Sequence, residues 1–174
     1  MIIISPNRSN FIAAAEAFAE WKSNRGIPTQ VLSNFSLYTG VDTPEKIRNT
    51  IKWFYENRGI QWVLLLGDTN ADLIPIRYIR NQDTTLVENT YEISYLPGGN
   101  TLKPTDFYYA ELTADWNIDG DQYWGEKAAD NSYNNKIEMD FVPEVYVGRL
   151  PVETIEEVHQ ILNKTMIYEE GSQV

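Results

Sequence analysis

Residues 62–66, Trp-Val-Leu-Leu-Leu, form an unbroken apolar run that ends at Gly67 and Asp68. A strand solvated on one face alternates apolar with polar residues. A run without alternation suits a strand covered on both faces, as in a parallel sheet between helices. Parallel strands in turn need helical crossovers, and the flanking sequence supplies them. Ile2–Ile4 is a β-branched run stopped by Pro6 and Asn7. Ser9 or Asn10 is the expected cap of a helix carrying Phe11, Ala14, Ala15, Phe18 and Trp21, with Gly26 just past its end. Thr29–Leu32 reads as a second strand. Thr43 and Pro44 start a second helix, with proline at the first helical position, where its missing N–H costs nothing. Ile47, Ile51 and Phe54 line one face of that helix and Gly59 ends it. Val145–Val147 reads as a further strand. Thr154 with Glu157 forms a capping box for a last helix bearing Ile155, Val158, Ile161 or Leu162, and Met166.

The order βαβαβ, a long excursion, then βα predicts an α/β fold. Right-handed crossovers make it a three-layer α/β/α arrangement around a mainly parallel sheet of about four strands. The 174 residues suit a single α/β subdomain over 1–174, with a loop-rich, Asn- and Tyr-rich insertion at about 70–142 that is too long to be a bare connector.

Charge and composition exclude several roles. The net charge of −11 argues against nucleic acid, which needs clustered Lys and Arg, and against an anionic membrane surface. No apolar run approaches the ~18 residues of a membrane span, and MIIISPNRS has none of the features of a secretory signal. The residues after the first strand, SPNRSN, contain no glycine-rich phosphate cradle, so nucleotide binding is rejected. With no cysteine in the chain, there is no disulfide, no thiolate metal site and no cysteine nucleophile.

One stretch of the insertion carries chemistry: DWNIDGDQYWGE, residues 115–126. Numbered as a loop, it places Asp115 at position 1, Asn117 at 3, Asp119 at 5, Gly120 at 6, Asp121 at 7 and Glu126 at 12. This matches the D-x-[DN]-x-[DN]-G-x5-E calcium pattern at every constrained position. Oxygens at alternate positions converge as the chain curls, Gly120 permits the sharp turn, Asp121 offers its backbone carbonyl, and Glu126 closes the site with both carboxylate oxygens. Hard oxygens in that number suit Ca²⁺ rather than Mg²⁺. Position 9 is Tyr123, so a water would fill that place. No amphipathic helix precedes the loop, and Phe107–Leu112 (FYYAEL) reads as strand-like. The expectation is a structural calcium loop outside a paired helix–loop–helix, with a solvated acidic turn as the bland alternative.

Several stretches resemble the gingipain-type cysteine peptidases, which share a caspase-like fold. They are AEAFAEWKSNRGIPTQV at 15–31, WVLLLGDTNADLIPIR at 62–77, TDFYYAEL at 105–112, PEVYVGRLPVETIEEV at 143–158 and KTMIYEE at 164–170. The resemblance implies a caspase-like, Rossmann-like half domain. In that family the catalytic domain has two halves, with the catalytic His and Cys both in the second. It therefore implies that this chain is the amino-terminal, non-catalytic subdomain, with no catalytic residue of its own. Its partner would be the catalytic second subdomain of the same polypeptide, and protein or peptide substrates would be met through the parent enzyme. A secreted or cell-surface location follows from the resemblance and from a loop suited to extracellular calcium.

Other readings stay open at this point. The single histidine, His159, sits beside the apolar face of the last helix and reads as a boundary residue. Asp68, at the carboxyl end of the central strand, either caps its turn, the favoured reading, or shapes a cleft or holds a second ion there. A free-standing binding module of the same fold would use the insertion for protein or glycan recognition, with Tyr91, Tyr95, Phe107, Tyr108, Tyr109, Trp116, Tyr123, Trp124 and Tyr133 as stacking surfaces. A hydrolase using Asp115 and Glu126 as paired carboxylates is the third possibility.

Overall fold

The computed structural model describes residues 1–69, 73–81, 101–118, 120, 123–125 and 141–171. Their elements are β1 (Ile2–Ile4), α1 (Ser9–Asn24), β2 (Gln30–Leu32), α2 (Thr43–Arg58), β3 (Trp62–Leu66), β4 (Arg77–Asn81), β5 (Thr101–Thr105), a 3₁₀ turn (Phe107–Tyr109), β6 (Tyr146–Leu150) and α3 (Ile155–Gly171). They fall into two compact units, Met1–Pro75 with Val145–Val174, and Ile76–Glu144.

The first unit is built on a four-stranded sheet in the order β2-β1-β3-β6. All its pairings are parallel, with Ile3 opposite Val31 and Leu64, and Leu64 opposite Gly148. On one face Ile3, Leu64 and Leu66 pack with Phe11, Ala15 and Phe18 of α1 and with Val158 and Leu162 of α3. Ile2, Ile4, Val63 and Leu65 alternate to the other face and are buried as well. The α2 crossover runs the opposite way along the sheet from the α1 crossover, which places α2 on that second face. There it buries Ile47, Ile51 and Phe54. Burial of each of the two isoleucines contributes about 2 kcal/mol. The unbroken run Trp62–Leu66 therefore does mark a strand covered on both faces.

Helix ends follow from local chemistry, with two departures from expectation. α1 begins from Arg8, whose backbone is extended and whose side chain caps nothing. Asn10 instead accepts from the Phe11 N–H at 3.0 Å. At the other end Gly26 has φ 84°, and the N–H groups of Gly26 and Ile27 reach the carbonyls of Ser23 (3.0 Å) and Lys22 (3.1 Å), the paired closure that glycine permits. α2 is capped by Asp42, whose Oδ1 accepts from the Glu45 N–H at 3.0 Å, while Glu45 accepts from the Val41 N–H at 2.6 Å. Among the described residues no helix is long and apolar enough to cross a membrane.

The capping box of α3 forms as the sequence predicts. Thr154 Oγ1 accepts from the Glu157 N–H at 3.3 Å, and Glu157 Oε2 accepts from the N–H groups of Glu153 (2.8 Å) and Thr154 (3.1 Å). Those two donors, Glu153 foremost, hold the Glu157 carboxyl below its usual range, against the nearby charge of Asp68, which raises it. A carboxyl depressed in the folded state stabilises the fold above its unfolded value, and this stabilisation is lost as pH falls through the folded value. Glu157→Gln is expected to flatten that part of the acid limb in thermal melts recorded against pH. An acid limb identical to wild type would count against the box.

The second unit holds an antiparallel hairpin of β4 and β5, with Ile79 opposite Lys103, where the sequence suggests only loop. Neither strand, RYIRN nor TLKPT, shows a clean apolar alternation, and Pro104 cannot donate to a ladder. A two-stranded ribbon tolerates that residue because each strand is also an edge. Phe107–Tyr109, expected to be strand-like, is the 3₁₀ turn, and it buries Tyr108 and Tyr109.

Candidate metal centre

The residues leading into the acidic loop are fixed by one buried carboxylate. Glu111 has no solvent exposure. Its Oε1 accepts from the Thr113 N–H (2.8 Å), the Thr113 hydroxyl (3.0 Å) and the Ala114 N–H (2.7 Å), and its Oε2 accepts from the indole N–H of Trp116. A buried charge is tolerated only when its lone pairs are satisfied in this way. Glu144 holds the same segment from the far end of the unit. Its carboxylate accepts from the Leu112 N–H (2.5 Å) and the Thr113 hydroxyl (3.2 Å), and its own N–H donates to the Ala110 carbonyl at 2.9 Å.

Trp116, position 2 of the loop, is 2 % exposed and meets the Tyr108 ring edge-on at 5.1 Å. From this anchor the chain turns back. Asp115 Oδ1 accepts from the Asn117 N–H at 3.1 Å, and the Gly120 N–H donates to the Asn117 carbonyl at 3.3 Å. Gly120, at position 6, has φ 73°, the left-handed backbone that the pattern reserves for glycine. The Gly125 N–H then donates to the Trp116 carbonyl at 2.9 Å. Positions 2 and 11 are therefore joined, and the ends of the loop are closed on each other. The Asn117 carboxamide oxygen is shielded from solvent, and the Asp115 side chain is exposed.

Of the five expected ligands, Asp115 and Asn117 stand on one turn, while Asp119, Asp121 and Glu126 lie outside the described residues. Among the described residues no three His, Cys, Asp or Glu side chains form a metal cluster. Tyr91, Tyr95 and Tyr133 also lie outside them. Asp68 acts in its own turn: its carboxylate accepts from the Thr69 N–H at 2.5 Å, and its N–H donates to the Val152 carbonyl at 2.9 Å. His159 is exposed on α3, beside Trp21, Leu162 and Met166.

Three residues that the spacing of the loop does not reveal complete the frame: Glu111, Glu144 and Arg77. Arg77, the first residue of β4, is 5 % exposed. Its guanidinium carbon lies 4.5 Å from the Tyr108 ring centre and 4.1 Å from that of Trp124, loop position 10. The signal for Glu111 was present as a lone carboxylate among aromatic and apolar residues, a placement that demands local donors.

Comparison with known proteins adds a lineage to this geometry. The sequence model for peptidase family C25 matches residues 1–174. Among solved structures, a chain from the complex of Porphyromonas gingivalis RgpB pro- and mature domains is 22% identical with a TM-score of 0.58, over 97% of this chain and 28% of that one. The Arg-specific cysteine proteinase gingipain R (RGPB) is 21% identical with a TM-score of 0.55, over 96% of this chain and 28% of that one. At these identities the likeness is one of fold, and this chain spans 28% of the length of each gingipain chain. No curated protein matches the chain.

Proposed function

The chain belongs to peptidase family C25, and from that membership we propose that it is the non-catalytic, calcium-holding amino-terminal subdomain of a secreted or cell-surface cysteine endopeptidase. In this reading a second subdomain of the same polypeptide carries the catalytic His and Cys and cleaves protein or peptide substrates. One observation carries it: a family match over all 174 residues in a chain with no cysteine and a single histidine. A cysteine peptidase needs a thiolate nucleophile beside a base, so the nucleophile has to come from outside this sequence.

The ion belongs to the same reading. Asp115, Asn117, Asp119 and Glu126 would hold Ca²⁺ with side-chain oxygens, and Asp121 with its carbonyl. The described parts of the loop fit that role in three respects. Gly120 has the left-handed backbone required at position 6, the Asn117 oxygen is turned out of solvent, and positions 2 and 11 are hydrogen-bonded. The ion would neutralise carboxylates that otherwise repel one another and pin the insertion to its frame, with no part in bond cleavage. A loop with Tyr at position 9 suits the millimolar calcium found outside cells, which supports export.

A peptidase assay on the purified chain with calcium tests the non-catalytic assignment. The expected result is no hydrolysis. Hydrolysis that disappears in a folded Asp115→Ala variant would overturn it in favour of a carboxylate hydrolase.

A further inference from the structure

We propose that a cleft at the amino end of the first unit's sheet binds an acidic saccharide, a sugar ring that carries a carboxylate. The inference is independent of the calcium reading and involves only the unit formed by Met1–Pro75 with Val145–Val174.

The cleft has a volume of about 540 Å³, within the range of small-ligand sites. It lies between the last turns of α2, which contribute Phe54 and Arg58, and the first residues of β1, β2 and β3, which are Ile2, Gln30 and Trp62. Ile2 and Phe54 are buried and make its apolar lining. Gln30, Arg58, Gln61 and Trp62 are exposed on its rim. Their side chains make no hydrogen bond or ion pair among the described residues. No aspartate or glutamate lines the cleft, although the chain holds 25 acidic residues against 14 basic ones.

These groups define the ligand. Arg58 offers a planar fork of donors that suits a carboxylate through two parallel bonds. The carboxyl end of α2 adds about half a negative charge, less than the full positive charge that Arg58 brings. The amides of Gln30 and Gln61 each offer a donor and an acceptor, the combination that a ring hydroxyl requires. The Trp62 ring, 48 % exposed, adds a flat apolar face with an indole N–H at its edge. A sugar ring has the matching parts, with C–H groups on its face and hydroxyls around its rim.

A carboxylate-bearing peptide would share the Arg58 contact, but extended peptides are held chiefly through the main chain. Here the main chain is already committed. The N–H groups of Thr29, Gln30 and Gly59 donate to the Ser23 hydroxyl (3.0 Å), the Met1 carbonyl (3.2 Å) and the Tyr55 carbonyl (3.1 Å). The carbonyls of Pro28 and Gln61 accept from the Met1 amine (2.9 Å) and the Tyr146 N–H (2.8 Å). Side chains are left to hold the ligand, which favours the saccharide.

Titration of glucuronate, glucose and N-acetylglutamate into the 174-residue chain tests this, followed by the Trp62 indole and the Gln30 and Gln61 side-chain amide resonances. Glucuronate is expected to shift these signals with a Kd on the order of 1 mM, as suits a single ring. Glucose should bind about tenfold more weakly. Arg58→Gln should weaken glucuronate about tenfold and leave glucose unchanged, whereas Trp62→Leu should weaken both. Both residues are exposed, so the variants should melt within about 2 °C of wild type, and either one suffices if the other fails to fold. No shift with glucuronate, equal affinity for glucose and glucuronate, or a glucuronate affinity that the variants leave unchanged would overturn the proposal. Tighter binding of N-acetylglutamate than of glucuronate would overturn the saccharide in favour of an acidic peptide.

Discussion

Glu111→Ala is expected to destabilise the Ile76–Glu144 unit by about 3–5 kcal/mol, the largest single effect in this part of the chain. The carboxylate is fully buried and satisfies four donors: two N–H groups, the Thr113 hydroxyl and the indole of Trp116. Alanine leaves all four facing a cavity too small to give each its own water. Glu111→Gln keeps the shape and one acceptor but turns an NH₂ group toward donors, and is expected to cost about 2 kcal/mol. Urea unfolding gives the totals, and hydrogen exchange should place the loss in residues 76–144. Two variants within about 0.5 kcal/mol of wild type would show that the carboxylate does not organise the entry to the loop.

Arg149→Met is the second large effect, about 2–3 kcal/mol, in the first unit. Arg149 stands at the carboxyl end of β6, opposite Leu65. Its Nη1 donates to the carbonyls of Gly67 (2.8 Å) and Ile74 (2.7 Å), and its Nη2 reaches that of Pro75 at 3.5 Å. These carbonyls bracket the turn that leaves the sheet after β3. The turn is already tight: Gly67 has φ 151°, and a Cβ there would stand 2.9 Å from the Leu73 Cβ. Methionine keeps the packing of the stem and removes every donor. Lysine places a single charged point where a planar fork spans separate carbonyls, so Arg149→Lys should recover only part of the loss. Equal stability for Arg149→Met and wild type in urea unfolding would mean that the turn holds itself.

The first unit was legible from sequence because its signals are local. Apolar runs at 2–4 and 62–66, the Thr154–Glu157 pair and the glycines at 26 and 59 each state their structure within a few residues. The misplaced cap of α1 is an error of one or two residues among neighbouring polar candidates, whereas α2 starts at Thr43 as expected, with Asp42 supplying the cap. The hairpin was illegible because, among the described side chains of RYIRN and TLKPT, only Arg77 is buried, an inward-facing charge that periodicity counts as surface. FYYAEL misled for the opposite reason, since Tyr108 is buried by tertiary contacts with Trp116 and Arg77 rather than by a pleated ladder. The acidic pattern of residues 115–126 was readable because its spacing is local. Its frame was not, because Glu111, Glu144 and Arg77 are brought to it only by folding.

The most direct measurement of the central claim is calorimetric titration of calcium into the chain and into Asp115→Ala, with thermal melting in calcium and in chelator. Asp115 is exposed and makes one exposed turn hydrogen bond, to the Asn117 N–H, so its loss should lower the ion-free melting temperature only slightly. The account predicts stoichiometric binding by wild type with a melting temperature raised by calcium, and neither response in Asp115→Ala. No binding heat and no shift in the wild type would contradict it, leaving DWNIDGDQYWGE a solvated acidic turn on a peptidase-family subdomain.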